Sequence, residues 1–149
     1  ALSQIILWKY KPNSKGECFL MLRVHKHGKR KQYQQEEVYP TGSLEYCEKF
    51  YVLLLDRGNF IYAYKEIGSG GLSGDVCDPR LIFQTAILAH ASSIILSHSH
   101  PSGNTKPSAA DISLTKRMVE PGRLLEIQVL DHLIITVDGC TSMADDGLM

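Results

Sequence analysis

His98 and His100 stand two residues apart in Ser97-His98-Ser99-His100-Pro101-Ser102-Gly103, and Asp111 follows within Pro107-Ser108-Ala109-Ala110-Asp111. Two imidazoles and a carboxylate are a common ligand set for a catalytic zinc, which keeps a further position for water and lowers that water's pKa to near ~7. Amide or carbonyl hydrolysis by such a water needs a general base and a donor for the oxyanion.

The flanking sequence supplies the elements that would position these groups. Ser92–Ser97 is short, apolar and β-branched, which reads as a buried strand. Period-two spacing points both imidazoles to the same side of its end. Pro101 and Gly103 turn the chain, and Ser108 with Asp111 three residues on is a capping signal opening a helix over 108–120. Pro121-Gly122 is expected to end that helix.

Glu45 and Glu48 are the candidate bases. Glu48 opens an apolar run, 48–56, that reads as a central strand, so a rigid element fixes its position; Glu45 falls in a turn. Ser108 is the candidate oxyanion donor, with Ser102 a weaker one. His132 stands among apolar residues and reads as a buried, hydrogen-bonded histidine more readily than as a ligand. Asp131 is expected to pair with it or to support the metal from behind. His90, near a helix end, receives no catalytic role.

The rest of the chain is read from turn and cap signals. Ile5–Tyr10 and Cys18–Val24 resemble a strand pair. Residues 60–67 form the second arm of a hairpin after 48–56, and 68–75 is a glycine-rich connector without the Gly-Lys-Ser/Thr of a P-loop. Asp78-Pro79 starts a helix running to about Ala91. Two apolar runs, 125–130 and 132–137, and a turn at Asp138-Gly139 complete the order. From residue 48 onward this is β-β-α-β-α-β-β: an α/β fold with a mixed sheet and helices on its faces.

At 149 residues, 44% hydrophobic and 21% charged, the chain has the size and composition of one globular domain. No apolar stretch approaches the roughly 20 residues of a membrane span, and no signal segment is read at the start, so a cytoplasmic location is expected. The four cysteines are scattered without a C-x-x-C pair, which argues against a Cys-rich zinc site. Net charge is zero but divided: residues 1–44 carry eight Lys/Arg against three Asp/Glu. Lys26, Lys29, Arg30 and Lys31 could touch nucleic acid, although a solvated loop is the simpler reading.

The spacing His-x-His, seven residues, Ser, two residues, Asp resembles the JAMM motif. The surrounding sequence resembles the RadC family, whose members carry a JAMM/MPN-like domain. The resemblance spans roughly 45–149 and includes Glu48-Lys49-Phe50 before Val52-Leu53-Leu54-Leu55-Asp56. It also includes Asp78-Pro79-Arg80, Val129-Leu130-Asp131-His132-Leu133-Ile134-Ile135 and Ala144-Asp145-Asp146-Gly147-Leu148. It implies an MPN-like, cytidine-deaminase-like three-layer sandwich. One zinc would be held by His98, His100 and Asp111, with Glu48 as acid/base and Ser108 as oxyanion helper. The implied activity is that of a metallopeptidase or isopeptidase acting on a peptide or isopeptide. The family's link to DNA repair implies an alternative, a DNA-associated accessory protein with a structural or vestigial metal. The P-C-x-x-C ligands of a deaminase are absent. Ser99 stands where the family usually has Asn. Residues 1–44 do not resemble the helical N-terminal region of long members, which sets them apart as a basic segment before a domain at 45–149.

Overall fold

The computed structural model describes residues 11–12, 18–19, 39, 42–70 and 77–149. Two short strands, β1 (Lys11–Pro12) and β2 (Cys18–Phe19), pair antiparallel. The expected strand residues 5–10 and 20–24, and the basic residues Lys26, Lys29, Arg30 and Lys31, lie outside the described residues. A 3-10 turn, Ser43–Glu45, leads into β3 (Glu48–Leu55). Then come β4 (Ile61–Gly70), α1 (Pro79–Leu88), β5 (Ser93–Ser99), α2 (Ala109–Leu124), β6 (Gln128–Ile135) and β7 (Cys140–Ser142). The five long-range strands form one mixed sheet in the order β4-β3-β5-β6-β7, an α/β architecture as expected from the sequence. No helix among the described residues is long and apolar enough to cross a membrane.

Strand directions explain where the helices go. β4 and β5 are both antiparallel to β3, hence parallel to each other, and β5 is parallel to β6. The crossovers β4-α1-β5 and β5-α2-β6 therefore step the same way across the sheet. Right-handed crossovers stepping one way place both helices on one face. Ile82, Phe83 and Ala86 of α1 and Met118 of α2 accordingly share a core with Phe50, Val52, Leu54, Ile94 and Leu96. The other face buries Tyr51, Leu53, Leu55, Ile61, Ile95, Leu133 and Ile135 under Tyr39, with Leu44 packed against them. Tyr39 precedes the boundary expected at 44/45, yet it is buried in this core. Its ring meets Tyr51 edge-on at 4.9 Å, and its hydroxyl lies 2.8 Å from Ser97 Oγ.

Three local features depart from the sequence reading. β4 continues to Gly70, because Gly68, Ser69 and Gly70 pair with Phe50, Lys49 and Glu48 at the start of β3. α1 stops at Leu88. His90 takes a left-handed φ of 55° and donates to Ile87 O, while Ala91 N donates to Ala86 O, the two bonds of a Schellman stop. α2 runs through Pro121 to Leu124. Proline removes a single bond there, and its own φ is helical. The stop comes where Glu126 takes φ 57°, with Ile127 N donating to Gly122 O at 2.8 Å.

Gly122 serves close approach and not termination: a Cβ there would stand 2.6 Å from Ile127 O. Gly122→Ala is expected to lower stability by about 1–3 kcal/mol, the usual cost of overpacking, measurable by urea unfolding. Burial, partly offset by the Ser97 hydrogen bond, raises the Tyr39 pKa above its ordinary value of 10.0. Above that value the unfolded chain loses the Tyr39 proton while the folded chain keeps it, so stability falls as pH rises. Tyr39→Phe is expected to reduce that alkaline loss of stability between about pH 9 and 11, the range around the ordinary tyrosine pKa. An unchanged slope would show that Tyr39 does not resist ionisation.

Candidate metal centre

β5 delivers the histidines because it is the central strand, buried along its whole length and bonded on both edges. Ile94, Leu96 and His98 alternate onto the helix face, and His98 is 5% exposed. His100 lies just past the strand, but its N–H still donates to Ile135 O at 2.9 Å, which carries the strand geometry one residue further. Gly103, at φ 76°, closes the turn by donating to His100 O. Ser108 then caps α2. Its Oγ accepts from Asp111 N at 3.1 Å, and its own N–H donates to Asp111 Oδ2 at 2.6 Å, a full capping box.

This path brings the three residues together. His98 Nε2 and His100 Nε2 lie 2.8 Å apart. His98 Nε2 is 3.2 Å from Asp111 Oδ1, and His100 Nε2 is 3.5 Å from Asp111 Oδ2. One ligand atom from each lies within 4.8 Å of the others, so the group could hold a metal ion. The donor set supports that. His100 Nδ1 is 2.8 Å from the carbonyl of Asn104; a carbonyl only accepts, so Nδ1 carries the proton and Nε2 of the neutral ring is a lone pair. Burial raises the Asp111 carboxyl, but its contacts with His98 and with the Ser108 main chain and hydroxyl outweigh it and hold the group well below the usual carboxylate range. A lone pair and an ionised carboxylate converging with a second imidazole form an acceptor-rich pocket suited to a shared cation.

Phe50 stacks on His98, ring centroids 5.8 Å apart and 9° from coplanar, giving the site an apolar wall. Phe50 is paired with His98 in the antiparallel register. Counting two residues outward on each strand brings Glu48 alongside His100, on the same face as Phe50. Ser99 holds that edge: its Oγ accepts from Lys49 N at 3.0 Å and donates to Cys47 O at 3.3 Å, on either side of Glu48. Glu45 is exposed in the 3-10 turn. Ser102 Oγ accepts from Asn104 N at 3.4 Å within the loop, a turn contact.

His132 is fully buried and hydrogen-bonded at both nitrogens: Nε2 is 2.8 Å from His98 Nδ1, and Nδ1 is 2.6 Å from Thr115 Oγ1. It lies behind His98 and outside the ligand group. Burial pushes its pKa down to about 3, so the ring is neutral. Its orientation depends on an irregularity in the parallel β5–β6 pair. Ile94 faces Val129 but Ile95 faces Asp131, so Leu130 is an extra residue that turns His132 onto the helix face. Asp131 does not pair with the His132 ring. Its Oδ1 accepts from the His132 and Ala144 main-chain N–H groups, and its Oδ2 accepts from Ser142 Oγ at 2.6 Å, tying β6 to the chain after β7.

Thr115 is the participant the sequence reading passed over, though its place four residues after Asp111 puts it on the same helix face. Its hydroxyl donates to Asp111 O at 2.7 Å.

The model of the RadC-like JAB domain matches residues 24–148. The chain belongs to this family. It is 39% identical over 112 residues to a UPF0758 protein of Methanosarcina barkeri, covering 75% of this chain and 49% of that protein. It is 45% identical over 102 residues to one from Desulforamulus reducens, covering 68% and 45%, and 40% identical over 102 residues to one from Symbiobacterium thermophilum, covering 68% and 44%. The chain thus spans about half the length of these relatives. The RadC-like match begins before Tyr39, in keeping with the burial of that residue in the core.

For this RadC-like domain, zinc supplied to the purified chain is expected to stay at about one per chain after dialysis, the occupancy of a three-ligand site. His98→Ala and Asp111→Ala are each expected to lose it. Elemental analysis decides this, and stoichiometric zinc in either variant would remove that residue from the ligand set.

Proposed function

We propose that the chain is a JAMM-type zinc hydrolase domain that cleaves an amide bond, in a peptide or an isopeptide, with an activated water. The observation carrying this reading is the convergence of His98, His100 and Asp111; Glu48, which opens the neighbouring strand β3, supports it. Zinc, when bound, supplies a Lewis acid and a water acidic enough to ionise near neutral pH. Membership of the RadC-like JAB family supports the hydrolase reading.

The chain's own groups take the remaining roles. The Glu48 carboxylate takes a proton from the attacking water and passes it to the leaving nitrogen. Its backbone is held on both sides by Ser99, while its side chain stays partly exposed at the start of β3, where a base can reach solvent and substrate alike. Ser108 uses a lone pair of Oγ to cap α2. Its O–H proton is not consumed by that bond and serves the developing oxyanion. Phe50 shields the buried side of His98 from water.

Glu48→Gln is expected to keep zinc and to lower hydrolysis about 10²–10⁴-fold, the range for a lost general base. The assay is release of product from fluorogenic peptide and isopeptide panels by zinc-loaded protein. Full activity in the variant would move proton transfer away from Glu48. Inactivity of loaded wild-type protein on both panels would overturn the amide-hydrolase reading.

A further inference from the structure

Histidines that bind metals nearly always donate the ring N–H not facing the metal to a carboxylate, a carbonyl or water. His100 follows that rule through Asn104 O. His98 does not: its Nδ1 faces another histidine, His132, in a fully buried position. Either ring could donate across that 2.8 Å contact. The acceptors on the pocket side, His100 Nε2 at 2.8 Å and Asp111 Oδ1 at 3.2 Å, draw the His98 proton toward Nε2, so something further along must set the direction that leaves Nε2 free.

The far end of the chain of contacts sets it. Thr115 has one hydroxyl proton and three neighbours: the Asp111 carbonyl at 2.7 Å, His132 Nδ1 at 2.6 Å and, as a weak acceptor, Met143 Sδ at 3.6 Å. The Thr115 hydroxyl donates to the carbonyl, which leaves Oγ1 to accept from His132 Nδ1–H. A neutral imidazole has one N–H, so His132 Nε2 is then an acceptor. His98 Nδ1 must donate to it, which leaves His98 Nε2 as the lone pair pointing toward His100 and Asp111.

We propose that His132, oriented by Thr115, is a positioning residue that keeps His98 in its Nδ1–H form and so presents its Nε2 lone pair to the metal. This rests on the zinc-site reading above. The path runs from Asp111 O through Thr115, His132 and His98 back to the pocket where the Asp111 carboxylate sits. The third ligand's main chain thereby fixes the proton position on the first. His132→Leu leaves His98 Nδ1 against an alkyl group and shifts its proton to Nε2, 3.2 Å from Asp111 Oδ1, where it blocks the metal. Thr115→Val keeps the side-chain shape and removes only the anchor.

The test has two readouts on the 149-residue chain. Imidazole ¹⁵N–¹H correlation spectra of the metal-free protein report which His98 nitrogen carries the proton. Competition with a chelator reports zinc affinity, and thermal unfolding confirms that each variant folds. The expected result is Nδ1–H on His98 in wild-type protein, lost in His132→Leu. Zinc affinity should fall about 10–100-fold in Thr115→Val, the usual effect of removing such a supporting partner, with recovery in Thr115→Ser. Wild-type zinc affinity in a folded Thr115→Val protein, or an unchanged His98 proton position in His132→Leu, would overturn the proposal. If wild-type protein binds no zinc, the hydrolase reading falls, and the nitrogen spectra alone decide whether His132 sets the His98 proton.

Discussion

The register of β5 is the constraint on which the site depends, and hydrophobic burial does not set it. Ile94, Ile95 and Leu96 are all fully buried, and the sheet has an apolar core on each face. A one-residue slip would exchange the faces of these side chains and still leave aliphatic groups in aliphatic surroundings. Polar pairs discriminate. Ser97 meets Tyr39 on one face, and His98 meets His132 on the other. A slip would bury Ser97, His98, Tyr39 and His132 without partners, at about 1–3 kcal/mol for each unsatisfied group. The pair beside the candidate metal centre thus also keeps the strand in register.

Asp111 shows the same economy at the helix start. Its carboxylate completes the capping box with Ser108 N–H while an oxygen faces each histidine. The N-terminus of α2 favours that negative charge, so local helix chemistry and site chemistry hold the group ionised together. Replacing it removes a candidate ligand and a cap at once, which is why metal content has to be measured beside folding in any Asp111 variant.

The parts of the site legible in the sequence are those encoded within a few residues. His-x-His shares a face because strands have period two. Ser108 and Asp111 meet because helices begin that way. Glu48 reads as a strand start because apolar residues follow it. The parts that were not legible depend on pairing between distant segments. The extra residue at Leu130 decides which face His132 occupies, and nothing in Val129-Leu130-Asp131-His132 announces it; two apolar runs around Asp131 turn out to be one strand. Tyr39 joins the core only because the sheet leaves that face without a helix among the described residues. Pro121 looked like a terminator, but the stop depends on Glu126 accepting a left-handed φ, a choice made by the packing of Gly122 on Ile127.

Ser99 illustrates how a residue between two ligands acts without joining them. Alternation along β5 turns it away from His98 and His100, toward β3, where its hydroxyl bridges Cys47 O and Lys49 N–H. The ligand set is therefore indifferent to its identity, whereas the backbone around Glu48 is not. Ser99 is fully buried, and its Oγ lies 3.0 Å from Lys49 N. The side chain at 99 thus bears on how the start of β3, with Glu48, sits against the end of β5.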